Sequence, residues 1–261
     1  DYSAGHINTT QAAEIIKDLQ ARLGSETVHF YPGVGYRHLM VHRGGQFDLD
    51  LTPPHDITEQ PVAKHLPKGK QGKVLRDLME QAQAILTDHP VNHVRSDLGE
   101  NPATDIWLWG QGHRPRLDAF SKRYGVSGAV ITAVDLMRGL GRLAGMELIN
   151  VKGATGYLDT NYAGKGVAAI DALKRHDLVV VHVEAPDEAA HGAMVEEKIK
   201  AIENIDAHVV GPLYKWLVEQ DAWRLLVLPD HPTPIRLRTH TSDPPVDGPA
   251  ATPRRSSASA E

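Results

Sequence analysis

The sequence predicts an α/β protein built on a mostly parallel sheet with helices on both faces. Three observations carry this. Strand-like and helix-like stretches alternate from about residue 126 onward. Two apolar runs, 178–183 and 223–228, each lead into a proline (Pro186 and Pro229). Each proline is followed by side chains able to hold a metal: Asp187 and His191 after the first, Asp230 and His231 after the second. Ligands of such sheets gather at the carboxyl ends of the strands, which is where these residues fall.

In chain order, residues 9–24 read as an amphipathic helix. Thr9 or Thr10 is its cap, Ala12, Ile15, Ile16 and Leu19 form its apolar stripe, and Gly24 ends it. Strands are expected at 27–31 and 36–42, separated by the turn Pro32-Gly33-Val34-Gly35. Residues 43–72 are rich in Gly, Pro, Asp and Lys and read as one long loop, a feature that compact domains keep for function or motion. A helix is expected at 73–88 and a short strand at 106–109, closed by Gly110-Gln111-Gly112. The alternating part then gives a strand at 128–132, a helix at 133–143 and a strand at 148–151. A helix at 166–174, the strand 178–183, a long helix at 195–218 and the strand 223–228 follow. From Pro244 the composition turns to Pro, Ala, Ser and Arg, that of a disordered tail.

Composition narrows the chemistry. With 261 residues, 41% hydrophobic and 23% charged, the chain can build one large or two modest cores. A net charge of −5 without a basic stripe argues against nucleic acid as a partner. No cysteine is present, so any metal must be held by His, Asp or Glu, which suits Zn²⁺ or Mn²⁺. No apolar run approaches the roughly 20 residues that span a bilayer, and no signal peptide is visible, so no membrane partner and a cytosolic compartment are expected. The chain starts at Asp1 rather than Met, which reads as processing or truncation.

Asp187 and His191 are four apart, a spacing that puts both on one face of a helical turn. Taken alone, the pair reads more readily as a helix cap and a surface histidine. Joined by Asp230, His231 and His240, it supplies two carboxylates and three imidazoles at one sheet edge, enough for two divalent ions. Glu184 and Glu188 are either partners of metal-bound histidines or solvated carboxylates. In the first half of the chain His6, Arg37, His38, His55, Asp56 and Arg95 are the polar candidates, and the planar fork of Arg suits phosphate or carboxylate. Arg37 and His38 are expected on opposite faces of a strand. Lys165 follows a Gly-rich loop that opens a helix, a place that favours an anion. Asp159 and Gly166 stand where a nucleotide-binding loop needs Gly and Ser or Thr, so that motif is excluded.

The order Asp187-x-x-x-His191, Asp230-His231, His240 resembles the metal-binding signature of the alkaline phosphatase superfamily. Longer words sharpen the resemblance: Asp-Tyr-Ser-Ala-Gly-His-Ile (1–7), Phe-Tyr-Pro-Gly-Val-Gly-Tyr-Arg-His (30–38), Pro-Pro-His-Asp-Ile (53–57) and Ile-Trp-Leu-Trp-Gly-Gln-Gly (106–112). Gly-Ala-Thr-Gly-Tyr-Leu-Asp-Thr-Asn-Tyr (153–162), His-Val-Glu-Ala-Pro-Asp-Glu-Ala-Ala-His (182–191) and Leu-Pro-Asp-His-Pro-Thr-Pro (228–234) complete them. These are similar to the archaeal-type, cofactor-independent phosphoglycerate mutases, in the branch proposed to include homoserine kinases.

The resemblance implies a partial alkaline-phosphatase-like parallel sheet core at 126–243 and an inserted α/β transferase domain at 1–125. Residues 244–261 are then a disordered or non-native tail. It implies two divalent ions, Mn²⁺ or Zn²⁺ with Mg²⁺ and Co²⁺ as further candidates, and no organic cofactor. Asp187, His191 and His240 would hold one ion; Asp230 and His231, with an Asp and a nucleophilic Ser from an earlier segment, the other. A small phosphorylated three-carbon acid would be the substrate, held by Arg37, His6, His55 and Lys165. The phosphoryl group would pass from the 3-position to the serine and back to the 2-position. Ser3, Ser25, Ser96, Ser121, Ser127 and Ser242 offer no substitute for that serine, so the chain is expected to be an incomplete, inactive member. Two rival readings are a homoserine kinase-like phosphotransferase and a non-catalytic metal- or phosphate-binding domain.

Overall fold

A computed structural model of the chain describes residues 1–44, 47–245 and 250–251. The chain divides into two units, Asp1–His113 and Arg114–Glu261. This division falls earlier than the boundary expected near residue 125. The reason is local: Phe120 N–H donates to Ala144 O at 2.7 Å, which ties helix α4 (Phe120–Tyr124) to the second unit.

The first unit opens with α1 (Thr9–Leu23), which buries Ala12, Ile15, Ile16 and Leu19, the stripe read from the sequence. Its cap is Asn8, one residue before the expected threonines; Asn8 Oδ1 accepts from Gln11 N–H at 3.0 Å. Strands β1 (Val28–Tyr31) and β2 (Leu39–His42) pair antiparallel. The second strand starts later than expected, because residues 34–37 form a turn in which Arg37 N–H donates to Val34 O and Gly35 takes a positive φ of 58°. Arg37 therefore lies in a turn, and the argument from alternating strand faces does not apply to it. The expected long loop holds structure of its own: β3 (Leu49–Asp50) pairs with β4 (Lys68–Gly69), with 3-10 turns at Pro54–Ile57 and Val62–His65 between them. Helix α2 (Gly72–Thr87) follows.

Two expectations fail in this unit. Helix α3 (Pro90–Asp97) was not foreseen, because its buried residues include Asn92 and Arg95 and it has no apolar stripe to read. The strand expected at 106–109 is absent among the described residues. Trp107 Nε1–H donates to Thr52 O at 2.8 Å, so an indole contact, not a ladder, holds this extended segment.

In the second unit, β5 (Gly128–Ile131), β6 (Glu147–Ile149) and β7 (Leu178–Val181) form a parallel sheet in the order β6-β5-β7. Every residue of the central strand β5 is buried. Helix α5 (Asp135–Leu143) joins β5 to β6, and α6 (Tyr162–Leu173) joins β6 to β7. The two crossovers run in opposite directions across the sheet. Right-handed connections therefore put the two helices on opposite faces, and the crevice where the order reverses lies between β5 and β7. After β7 come α7 (Ala185–His191), α8 (Val195–Ile205), a π-helical turn at Asp206–Val210 and α9 (Gly211–Leu217). A Cβ on Gly166 would stand 2.4 Å from His208 O, so the approach of α6 to the π turn requires glycine there.

The strand expected at 223–228 shrinks to β8 (Leu225–Leu226). It pairs antiparallel with β9 (Ala250–Ala251) and takes no part in the β6-β5-β7 ladder. Its residues alternate between half-buried and exposed, as in a ribbon with one wet face rather than a strand between two helical layers. Of the tail expected at 244–261, residues 246–249 and 252–261 lie outside the described residues, and β9 shows that part of the rest is paired. No helix among the described residues is long and apolar enough to cross a membrane.

Arg95, 2% exposed, ties the first unit's amino-terminal loop to α1 and α3. Its guanidinium donates to Asn101 O, Gln11 Oε1 and Ala4 O at 2.7–2.9 Å and pairs with Glu100 at 2.8 Å. Arg95→Ala would leave these acceptors short of donors, and hydrogen bonds from a charged donor contribute about 1.5–3 kcal/mol each. Urea denaturation should show a loss of about 3 kcal/mol or more; a loss under about 1 kcal/mol would contradict this anchoring role.

Candidate metal centre

Helix α7 begins where β7 ends, with Pro186 in its first turn, a position where the missing N–H costs nothing. Asp187 and Glu188 occupy the same turn, where the helix dipole favours negative charge. Ala185, Ala189 and Ala190 are buried, leaving Asp187 and His191 partly exposed on another face. The loop after β8 folds back over them.

Four contacts define the geometry. His191 Nε2 lies 3.2 Å from Asp187 Oδ2, and His240 Nε2 lies 3.4 Å from Asp187 Oδ1. His191 Nε2 and His240 Nε2 are 3.1 Å apart, and the rings of His231 and His240 stack at 3.9 Å between centroids. Asp187, His231 and His240 each offer a ligand atom within 4.8 Å of the others, so one ion can reach all three. His191 borders this triad. Asp230 is largely exposed; its Oδ1 accepts from His231 N–H at 3.1 Å and lies 3.7 Å from His231 Nε2. Asp187, His191, His231 and His240 thus form one connected group, which Asp230 joins only through His231. The triad takes His231, not His191, with Asp187 and His240, unlike the division between two ions that the resemblance implies. Nitrogen and oxygen donors without thiolate fit Zn²⁺ or Mn²⁺.

Charge follows the same geometry. Burial opposes ionisation of Asp187, but hydrogen bonds from His191 and Thr233 and the charges of His191 and His240 outweigh it, and the carboxyl is held at about 2. The hydrogen bond to Asp187 raises the proton affinity of His191; burial opposes this, and the Arg238 carbonyl assists. His191 Nδ1–H donates to that carbonyl at 2.8 Å, which leaves Nε2 as the atom facing Asp187. Arg238 has a φ of +55°, uncommon for a residue with a Cβ, and it is this residue that presents the carbonyl.

Three residues that sequence reasoning missed complete the surroundings. Thr233 donates its hydroxyl to Asp187 Oδ1 and lies 3.3 Å from His231 Nδ1. At the crevice between β5 and β7, Thr132 Oγ lies 3.2 Å from His182 Nδ1, and His182 Nε2 lies 3.2 Å from Glu184. Glu184 accepts from Nε2–H, so Nδ1 accepts from the Thr132 hydroxyl, which itself receives Val134 N–H at 3.1 Å. Burial lowers the proton affinity of His182, against the pull of Asp230. A threonine two places after His231 and a histidine ending an apolar run were the available signals for Thr233 and His182.

Lys165 is only 1% exposed and donates to His182 O, at the end of β7, at 3.2 Å. Burial lowers its pKa to about 8, against the opposing charge of Glu184. Its ammonium is turned inward rather than presented to solvent at the start of α6. In the first unit, His6, Arg37 and His55 gather around two tyrosines. Arg37 stacks over Tyr36 at 4.5 Å, His6 lies 6.3 Å from Tyr36, and His55 lies 6.4 Å from Tyr2 and 5.2 Å from Trp109.

A parallel sheet whose carboxyl edge carries a carboxylate ringed by imidazoles defines an α/β metal-binding protein. Residues 5–246 match the metalloenzyme superfamily, and the chain belongs to that family. It is 52% identical over 244 residues to a protein of Geobacter sulfurreducens named as a probable 2,3-bisphosphoglycerate-independent phosphoglycerate mutase, covering 94% of this chain and 61% of that one. It is also 52% identical over 247 residues to the 2,3-bisphosphoglycerate-independent phosphoglycerate mutase of Methanosarcina mazei, covering 94% and 62%. The chain thus spans about three fifths of the length of these relatives. The PH0037 protein of Pyrococcus horikoshii shares the fold, with a TM-score of 0.68 at 22% identity over 95% of this chain and 60% of that one. The resemblance drawn from the sequence motifs is borne out by the family and by these relatives.

Two outcomes are expected. Zn²⁺ or Mn²⁺ at a hundred times its dissociation constant should stabilise the protein by about 2.7 kcal/mol. Thermal unfolding should detect this, and Asp187→Asn should abolish it; an equal shift in Asp187→Asn would contradict the assignment. For Lys165, the folded state disfavours the charged form, so the cost is full below pH 8 and is relieved as pH rises from 8 toward the ordinary 10.5. Relative to Lys165→Met, the wild-type chain should gain on the order of 2–3 kcal/mol between pH 7 and 10.5 in urea denaturation. A gap independent of pH would refute it.

Proposed function

We propose that this chain carries the metal-binding core of a cytosolic, metal-dependent phosphoglycerate mutase that moves a phosphoryl group between the 3- and 2-positions of glycerate. The observation that carries this reading is the gathering of Asp187, His191, His231 and His240 at one sheet edge, in a chain 52% identical to proteins named for that activity. Asp187, His231 and His240, with His191 beside them, would hold Mn²⁺ or Zn²⁺, and Asp230 would be left for a second ion. Such ions supply Lewis-acid stabilisation of a phosphoryl group and of the oxygens that attack and leave it.

The chain's own residues divide the remaining work. The Arg238 carbonyl holds His191 with Nε2 toward Asp187. Lys165 places positive charge at the end of β7. In the first unit Arg37, His6 and His55 provide an anion-recognising surface for carboxylate or phosphate, with the Tyr36 ring fixing the guanidinium. The hydroxyl that touches the ligands belongs to Thr233, and Asp187 and His231 already engage it.

The test is isothermal titration of the chain with 3-phosphoglycerate, with and without Mn²⁺, beside a coupled assay of 2-phosphoglycerate formation. Binding that requires Mn²⁺ and is abolished by chelator is expected, with turnover at background. Binding that ignores chelator would overturn the metal-dependent reading. Formation of phosphohomoserine from ATP and homoserine would replace it.

A further inference from the structure

Thr233 is 6% exposed and sits between two prolines, Pro232 and Pro234, whose rings fix the backbone on either side. Its backbone carbonyl accepts from Lys198 Nζ, on α8, at 3.0 Å. Its hydroxyl has one proton and two partners, Asp187 Oδ1 and His231 Nδ1. An ionised carboxylate only accepts, so the proton goes to Asp187. Toward His231 the same oxygen can then only accept, and Nδ1 must carry the hydrogen. A neutral imidazole protonated on Nδ1 has its lone pair on Nε2, the nitrogen free to bind a cation. One hydroxyl therefore governs two of the three residues whose ligand atoms converge in the metal triad.

We propose that Thr233 is a positioning residue of the metal centre: its hydroxyl orients the Asp187 carboxylate and fixes His231 in the tautomer that presents Nε2 to a divalent cation. The proposal rests on the reading of this site as a metal centre, and it concerns a residue that touches no ion itself. Partners of this kind typically contribute 10–100-fold to metal affinity. Valine matches threonine in shape but offers no hydroxyl, whereas serine keeps the hydroxyl and loses a methyl group.

The experiment combines calorimetric titration with Zn²⁺ and long-range ¹⁵N–¹H correlation spectra of the histidines in the metal-free full chain. In the wild type, His231 should be the Nδ1–H tautomer. Thr233→Val should weaken Zn²⁺ binding roughly 10–100-fold and release that tautomer preference, and Thr233→Ser should restore both to within about threefold. Zn²⁺ affinity in Thr233→Val within about twofold of wild type would overturn the proposal. So would an Nε2–H tautomer in the wild type, a readout that requires no variant to fold. Absence of Zn²⁺ binding by the wild type, with the Nδ1–H tautomer in place, would count against the metal-centre reading and leave the hydroxyl's role in setting the tautomer standing.

Discussion

The second unit is organised around one ionised carboxylate. Asp187 is held partly out of water on the first turn of α7, and a charge in that position must be met by donors. Those donors come from its own helix, through His191, and from the loop after β8, through Thr233 and His240. The loop has little regular structure, and these contacts tie it to α7. The Arg238 carbonyl and the Lys198 contact to Thr233 O fasten the same loop at two further points.

Much of this was legible in the sequence, for reasons that are physical. The apolar stripe of α1 follows a periodicity that the backbone imposes, and the half-buried apolar run of β7 matches its place in the parallel sheet. The spacing of Asp187 and His191 survives translation into structure because a helical turn brings residues four apart together. The ligands were therefore visible as residue types at strand ends. What holds them was not. The contact of Thr233 with Asp187 spans 46 residues of sequence, and that of His191 with the Arg238 carbonyl spans 47. A backbone carbonyl has no residue type to read.

The failures share a cause. Helix α3 buries Asn92 and Arg95, whose partners are carbonyls such as Leu86 O, Ala103 O and Ala4 O. A helix anchored by polar groups carries no hydrophobic period. The run 223–228 misled in the other direction: residues apolar but for Arg224 suggest a strand covered on both sides, yet among the described residues only Leu225–Leu226 is paired, and with β9. Apolar content sets how much a segment gains from burial, not which neighbour provides it.

The electrostatics of the centre give the strongest physical ground for a cation there. Asp187, Glu184, Glu188 and Asp230 bring four carboxylates to the ends of β7 and β8 and the start of α7, with Lys165 near Glu184. The carboxylates outnumber that one ammonium. The raised proton affinity of His191 follows that field, through the hydrogen bond to Asp187 first. The low one of Asp187 has the opposite origin: against burial, the hydrogen bonds from His191 and Thr233 and the charges of His191 and His240. A proton taken up by His191 would go to Nε2, the nitrogen directed at Asp187 and His240, because Nδ1–H donates to the Arg238 carbonyl. A divalent ion at the same place would offset more of that charge than a proton can, and would use lone pairs that the Arg238 carbonyl and the Thr233 hydroxyl leave on His191 and His231.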